Sequence, residues 1–189
     1  MSLRELLRSV PSLTGSAPEL DLESLPAHPV MLFRHWLAEA IQLGVPEPHA
    51  VSFATVDAEG IPDARTLILK DVDSRGWAVA GTASSVKGQQ LRASPAAAID
   101  VYWQPIMRAV RVRGTVEVAS PEDCEADLAG RSEAARQAIA PGDWRLWWIR
   151  PARVEFFQAS TDRQHVRVVY STQDSVWRVD VFKGEEKLG

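Results

Sequence analysis

The sequence predicts a mainly β protein with flanking helices, built as a closed or split β-barrel. Short segments with a hydrophobic period of two recur at even spacing between turn residues, which is typical of antiparallel barrels. The pattern lacks the repeated crossover helices of a doubly wound α/β fold. A chain of 189 residues can bury a core in one domain without a disulfide or a metal ion.

Composition excludes several other classes of protein. A single cysteine, Cys124, cannot form an internal disulfide or a cysteine-based zinc site. The formal net charge of -4 argues against a duplex nucleic-acid binder, because such domains are usually basic. The apolar runs are shorter than the ~20 residues that span a bilayer, and the N-terminus lacks a secretory pattern. We therefore expect no metal, nucleic-acid or membrane partner, and a cytoplasmic location.

The N-terminal part of the chain differs in pattern from the rest. Residues 1–27 carry prolines and serines and little periodicity, so we expect a short helix over Leu3–Ser9 followed by a mobile or surface-draped arm. Residues 28–189 form the predicted barrel domain. Its first element is an amphipathic helix that begins at Pro29, because proline suits the first turn, and ends at Gly44.

Alternating apolar and polar residues predict the strands that follow. They cover Val51–Val56, Ala64–Lys70, Trp77–Ala80, Ala97–Trp103, Ala109–Val118, Val154–Gln158, Val166–Tyr170 and Val176–Val181. Helices are predicted over Ser85–Ala93, which serine caps, and over Pro121–Ala138, which proline opens. The tryptophan-rich segment 144–148 is interpreted as core, as a border for a flat aromatic ligand, or as a subunit contact that needs cover.

Two groups of residues near the predicted first strands could carry chemistry. Arg65 and Lys70 bracket an apolar strand and point to opposite faces. Ser85 and Lys87 lie at a predicted helix start, where free N–H groups, a hydroxyl and an ammonium could hold a phosphate. Each pattern also has an explanation without a ligand. Arg65 and Lys70 would then be ordinary cations at the ends of an apolar strand, and Ser85 would be an ordinary N-cap beside an exposed Lys87.

The third group lies near the C-terminus and consists of Arg163, His165 and Arg167. Alternation along an extended segment would place all three on one face. Two guanidinium groups there could bind an anion, and the imidazole could titrate. A polar edge strand is the alternative interpretation. The sequence has no nucleophile elbow and no P-loop.

An ordered set of motifs runs from about His28 to Val181. It comprises His28-Pro29-Val30, the stretch ATVDAEGIPDARTLILK from Ala54 to Lys70, Ser85-x-Lys87-Gly88, Arg108-x-Val110-Arg111-x-x-Gly114, Val154-Glu155-Phe156-Phe157-Gln158 and Arg163-x-His165-x-Arg167. In this order the motifs resemble the pyridoxamine (pyridoxine) 5'-phosphate oxidase family. The resemblance implies a homodimeric split β-barrel that binds FMN between subunits.

The resemblance also implies roles for individual residues. Arg65, Ser85 and Lys87 match the positions that grip the FMN phosphate, and Arg167 matches an arginine that contacts the flavin. The substrate-binding positions are matched by Lys70, Arg131, Arg163 and His165, and Lys70 also matches a cofactor-binding lysine near the flavin ring. Of these, Arg163 and His165 would form the catalytic end of the site. The implied activity is hydride transfer from a small anionic ring substrate to FMN, with molecular oxygen as acceptor.

The sequence departs from the family pattern at several of the implied ligand contacts. The departures at flavin contacts are Ala80, Gly81, Val86, Ala109 and Phe157, and those around the substrate are Asp127 and Ala135. An i, i+4 spacing suggests that Asp127 pairs with Arg131. The departures leave three alternatives open: a flavin oxidase of the phenazine-biosynthesis type, a flavin- or ligand-binding barrel without turnover, and a deazaflavin in place of FMN.

Overall fold

The computed structural model describes residues 1–173 and 176–188 and confirms the mainly β fold. The strands are β1 (Ala50–Val56), β2 (Pro62–Asp73), β3 (Gly76–Thr82), β4 (Ala96–Trp103), β5 (Arg108–Val118), β6 (Trp144–Gln158), β7 (Val166–Gln173), β8 (Val176–Lys183) and β9 (Glu186–Leu188). They form an antiparallel sheet in the order β3-β2-β1-β4-β5-β6-β7-β8-β9, and β3 also pairs with β6. That extra pairing closes the first six strands into a barrel and leaves β7–β9 as an extension.

The second, third and fourth helices of the described chain pack on strands of the barrel. The helices are α1 (Leu3–Ser9), α2 (Pro29–Gln42), α3 (Val86–Ala93), α4 (Pro121–Ala129) and α5 (Glu133–Gln137). The predicted amphipathic helix is α2, whose buried face packs on the core: Trp36 meets Phe156 edge-on with ring centroids 5.2 Å apart, and Phe33 meets Trp77 at 5.6 Å. Burial of large aromatic side chains is the main stabilising contribution of such a helix.

The largest departure from the sequence expectation is β6, which begins ten residues earlier than the predicted strand Val154–Gln158. Pro151 suggests a break in the strand, but it lies opposite Gly114, where a bulge shifts the register of β5 and β6. A side chain at Gly114 would overlap the carbonyl group of Arg150, so glycine permits the close approach. The bulge therefore lets one strand continue through the proline.

This longer strand buries the tryptophan-rich segment. Trp144, Trp147 and Trp148 are 8%, 3% and 4% exposed within one protomer. The expectation that this segment needs cover from a second subunit is therefore wrong.

The predicted helix Pro121–Ala138 is divided in two. Gly130 ends α4, and the Ser132 hydroxyl accepts a hydrogen bond from the Ala135 N–H to begin α5. Arg131 lies between the two helices and outside both.

Residues 14–26 of the N-terminal arm lie on the barrel, whereas α1 is exposed. The Glu19 carbonyl accepts a hydrogen bond from Arg108, and the Pro26 carbonyl accepts one from the Tyr170 hydroxyl at 2.8 Å. Leucines at 20, 22 and 25 pack against the main core. The domain boundary after residue 27 stays a prediction. Among the described helices, none has the length and hydrophobicity needed to cross a membrane.

Candidate functional site

Two of the predicted cations meet where β2 approaches α3. Arg65 lies on the partly buried face of β2, and its guanidinium donates to the Thr55 hydroxyl at 2.5 Å and to the Gln90 side-chain oxygen at 3.0 Å. Lys87 lies in the first turn of α3 beside this guanidinium. We call Arg65, Ser85 and Lys87 the cationic corner. Its arginine is held by buried polar partners rather than free in solvent.

The Arg65 guanidinium also binds a carboxylate. Its Nη2 atom lies 2.6 Å from Asp63 Oδ2, and the Asp63 side chain is 49% exposed whereas that of Arg65 is 21% exposed. An ion pair with such an exposed partner contributes little to stability, because water screens it. An incoming anion can therefore replace Asp63 at small cost.

Lys87 is the cation of the corner with the least compensation. Burial lowers the pKa of Lys87 below its ordinary value, and the neighbouring Arg65 cation lowers it further. Its ammonium donates to the Ser85 hydroxyl at 3.2 Å, while that hydroxyl donates to the Thr82 carbonyl at 2.6 Å. In the described part of the chain, Lys87 forms no ion pair with a carboxylate. An oxyanion would relieve this unfavourable arrangement.

Gly81 provides the space that Lys87 occupies. A Cβ atom at this position would lie 2.8 Å from Lys87 Nζ and 3.3 Å from the Trp147 ring. The lysine side chain therefore crosses directly over the glycine of β3. Gly81, one of the departures from the family pattern, is thus the floor of the cationic corner.

Lys70 leads to a second group of residues. It lies on the face of β2 opposite Arg65, as the spacing predicts, and its Nζ atom is 3.9 Å from Asp127 Oδ1. Asp127 Oδ2 accepts a hydrogen bond from Trp144 Nε1 at 2.8 Å, and the Arg131 guanidinium stacks 4.6 Å above the Trp144 ring. We call Lys70, Asp127, Arg131 and Trp144 the Asp127 cluster.

The structure corrects the expected pairing of Asp127 with Arg131. The i, i+4 spacing requires a continuous helix, but α4 ends at Ala129 and Gly130 follows it. Asp127 instead binds the indole of Trp144 and approaches Lys70. Lys70 and Arg131, both predicted to bind substrate, are thereby brought to one cluster.

The third predicted group is only partly extended. Arg163 has a φ of 67° and lies in an exposed turn, in which Asp162 Oδ1 accepts from the Ser160 hydroxyl and the Gln164 N–H. β7 begins only at Val166. The prediction that Arg163, His165 and Arg167 lie on one face of an extended segment is therefore wrong, because a turn replaces the expected alternation at Arg163.

His165 and Arg167 are nevertheless oriented by contacts. His165 Nδ1 accepts a hydrogen bond from the Ser160 N–H at 2.9 Å, so the neutral imidazole carries its proton on Nε2. Its ring packs against Phe157 with centroids 5.3 Å apart. The Arg167 guanidinium lies over the Phe182 ring at 5.1 Å and donates to the Gly184 carbonyl. We call residues 160–167 the closing segment.

The closing segment and the cationic corner lie at different ends of β6. Thr82, the carbonyl partner of Ser85, pairs with Trp144 at the start of this strand, whereas Arg167 pairs with Phe157 near its end. The strand has 15 residues, which corresponds to a path of about 45–50 Å at the usual rise per residue. Within one protomer Arg65, Ser85 and Lys87 thus lie together. Lys70 and Arg131 are linked only through Asp127 and Trp144, and the closing segment lies apart from both groups.

Sequence reasoning missed several residues that hold these groups. Thr55 and Gln90 are 1% and 8% exposed and share a 2.5 Å hydrogen bond that anchors Arg65. The signal for Thr55 was available, because it follows Val51 and Phe53 on the inward face of β1. A polar residue at such a core position requires a buried polar partner. Nothing comparable in the sequence marked the Trp144 indole as the partner of Asp127.

Comparisons with known proteins agree with this architecture. Residues 37–158 match the family model described as pyridoxamine 5'-phosphate oxidase. Residues 144–182 match the pyridoxine 5'-phosphate oxidase C-terminal dimerisation region, which supports a homodimer.

Curated relatives carry the name pyridoxine/pyridoxamine 5'-phosphate oxidase. The protein from Caulobacter vibrioides is 32% identical, and the match covers 79% of this chain and 82% of the relative. The protein from Azotobacter vinelandii is 34% identical, and the match covers 80% of this chain and 86% of the relative.

Solved structures share the fold. The chain superimposes on PhzG from Burkholderia lata, solved with tetrahydrophenazine-1-carboxylic acid, with a TM-score of 0.81 at 24% identity. A pyridoxamine 5'-phosphate oxidase-related, FMN binding protein from Nostoc punctiforme gives a TM-score of 0.68 at 18% identity. Each match covers 89% of this chain and 100% of the other. From the family model and the curated relatives, the chain belongs to the pyridoxamine 5'-phosphate oxidase family of flavin oxidoreductases.

Proposed function

We propose that this protein is an FMN-dependent oxidase that oxidises a small anionic ring substrate and works as a homodimer. The observation that carries the proposal is the cationic corner, where Lys87 and Arg65 stand together without a carboxylate on the lysine. Molecular oxygen is the proposed acceptor that regenerates the oxidised flavin.

The residues of the cationic corner fit the phosphate of FMN. A guanidinium, an ammonium and a hydroxyl are the donors that phosphate oxygens prefer, and the corner lies at the start of α3, where backbone N–H groups favour anions. The lowered pKa of Lys87 is consistent with a site that gains stability when an anion enters. The corner retains its phosphate-type donors although Ala80, Gly81, Val86, Ala109 and Phe157 depart from the family pattern.

When bound, a flavin would supply the redox chemistry, as the acceptor of a hydride from the carbon beside the substrate's amine or alcohol. The chain's own residues bind and orient. Arg131 and Lys70 bind the substrate anion, and His165 donates a hydrogen bond from Nε2 to the reacting group because Ser160 occupies Nδ1. Arg163 provides a further positive charge at that end, and Arg167 contacts the flavin.

A second copy of the chain would supply the closing segment. Within one protomer this segment and the cationic corner lie at different ends of β6, so a single chain does not assemble the complete set of predicted site residues. The match to a dimerisation region over residues 144–182 supports a partner at this part of the molecule. We infer that the closing segment of one protomer completes the site of its partner.

The Asp127 carboxylate favours a second candidate function, oxidation of a ring carboxylate as in phenazine biosynthesis. A carboxylate within 4 Å of Lys70 repels a doubly charged phosphate that binds at the Asp127 cluster. We therefore expect turnover of pyridoxamine and pyridoxine 5'-phosphates to stay below about 1 s⁻¹, the low end of usual enzyme rates.

Two measurements test the proposed function. The absorbance spectrum of the purified protein, before and after addition of FMN, is expected to show a bound flavin. Oxygen consumption with pyridoxamine and pyridoxine 5'-phosphates then measures turnover. A protein that does not bind FMN would contradict the proposal, and a protein that binds FMN without oxidising an anionic ring compound would be a binding barrel.

A further inference from the structure

The Asp127 side chain is fixed at a position where its charge affects any neighbouring ligand. Oδ2 accepts the Trp144 indole hydrogen bond at 2.8 Å, and Oδ1 lies 3.9 Å from Lys70 Nζ. The side chains of Asp127 and Lys70 are 15% and 26% exposed, so neither charge is fully screened by water. The indole hydrogen bond orients the carboxylate beside Lys70 before a ligand arrives.

Arg131 is the cation of the cluster that retains binding capacity. Its guanidinium stacks on Trp144 at 4.6 Å, and its Nε atom is buried without a hydrogen-bond partner in the described structure. Among the described residues, Arg131 forms no ion pair with a carboxylate. A stacked guanidinium presents its donors in a plane, which suits a planar carboxylate. The 3.9 Å gap between Lys70 and Asp127 exceeds a direct hydrogen bond, so the ammonium also keeps donors available.

The formal charges of the cluster match a singly charged ligand. Lys70 and Arg131 contribute two positive charges and Asp127 one negative charge, which leaves a single excess positive charge. A ring carboxylate carries one negative charge, whereas a phosphate monoester carries about -1.5 to -2 at pH 7. The second charge of a phosphate would face the fixed carboxylate, and close like charges repel.

We propose that Asp127 is a specificity-determining residue that selects ring carboxylates over ring phosphate monoesters in the substrate position. This proposal rests on the proposed function, because it assigns the substrate class of the same site. Asp127 acts through Lys70: it neutralises the second cation that a phosphate dianion would require.

The test compares 1-naphthoate with 1-naphthyl phosphate, two probes that share a ring system and differ in the anion. Dissociation constants are measured by calorimetry on the dimeric protein, with and without FMN. We expect the wild-type protein to prefer 1-naphthoate. Asp127→Asn should shift the ratio of the two constants about tenfold towards the phosphate, because one opposing charge is removed. Asp127→Glu, which keeps the charge, should retain a preference for the carboxylate.

The matched control is Glu125→Gln, which removes an equal charge from an exposed side chain of the same helix. It should leave the ratio unchanged. Three results would overturn the proposal. The wild-type protein could prefer the phosphate, Asp127→Asn could give the same ratio as the control, or neither probe could bind at millimolar concentration. Loss of FMN binding would contradict the proposed function instead, since the ratio is also measured without FMN.

Discussion

The cationic corner and the closing segment differ in how much of their geometry one protomer determines. Arg65 is held by Thr55, Gln90 and Asp63, and Lys87 is held over Gly81 by Ser85. The polar contacts of His165 and Arg167, in contrast, are to nearby backbone groups.

This difference suits the two groups to different roles, which are binding a phosphate within one chain and completing the site of another protomer. A phosphate site needs several donors that converge before the ligand arrives, because ordering flexible cations on binding costs conformational entropy. The buried hydrogen bonds of the cationic corner meet that requirement within one chain. In the closing segment, Arg163 instead lies exposed in a turn, as expected of a group that completes another protomer's site.

The largest expected effect is the loss of either cation of the corner. Arg65→Ala and Lys87→Ala should each weaken FMN binding about tenfold or more, because charge-assisted hydrogen bonds contribute roughly 1.5–3 kcal/mol. Riboflavin, which lacks the phosphate, should lose much less affinity. Quenching of flavin fluorescence measures both constants. Arg92→Ala, which removes an exposed cation from the other end of α3, serves as control; equal losses for FMN and riboflavin would contradict a phosphate role.

The lowered pKa of Lys87 predicts a pH dependence of FMN affinity. The ammonium binds phosphate only when protonated, so its contribution is complete below the lowered pKa and is lost as the pH rises through it. The loss should therefore begin below the ordinary lysine value of 10.5. Lys87→Arg should keep its affinity over the same range, because guanidinium stays charged. Identical pH profiles for the two proteins would show that Lys87 does not bind the phosphate.

Gly81→Ala tests whether the position of Lys87 matters. The new methyl group would lie 2.8 Å from the present position of Nζ, so the flexible lysine must move while the barrel stays folded. We expect FMN affinity to fall about fivefold, which corresponds to ~1 kcal/mol. Thermal unfolding checks the fold. Unchanged affinity in a folded variant would mean that the lysine binds from more than one position.

The smallest expected effect comes from Asp63, which competes with an incoming anion for Arg65. Asp63→Asn should raise FMN affinity about threefold, because the exposed ion pair it removes contributes roughly 0.2–1 kcal/mol. Riboflavin affinity should stay the same. A decrease in FMN affinity would show that Asp63 orients Arg65 for binding.

The sequence predicted the fold well where the pattern is local. Alternation located most strands, and the apolar face of α2 followed from its helical spacing. Strand prediction failed at β6, because proline usually interrupts a strand and Pro151 is accommodated only through Gly114 of β5, which is distant in sequence. Pairing across such a distance has no signature in a local window of sequence.

Site prediction shows the same limit. Arg65, Ser85 and Lys87 were recognisable by motif, and the structure brings them together. The partner of Asp127 was predicted incorrectly, because the helix ends at Gly130 and because Trp144 comes from another element. Tertiary contacts, rather than helical spacing, decide which charges meet.

The most direct test of a site shared between protomers is a mixed dimer. Arg65→Ala and Arg167→Ala change different groups, the cationic corner and the closing segment, and each homodimer is expected to bind FMN poorly. The mixed dimer contains one chain of each variant. If each site combines the corner of one protomer with the closing segment of the other, one site carries both substitutions and the other carries neither. About half of the wild-type FMN binding should therefore return. Co-expression with two affinity tags isolates this dimer, and flavin absorbance measures its FMN content. Binding no better than that of the parent homodimers would contradict the account.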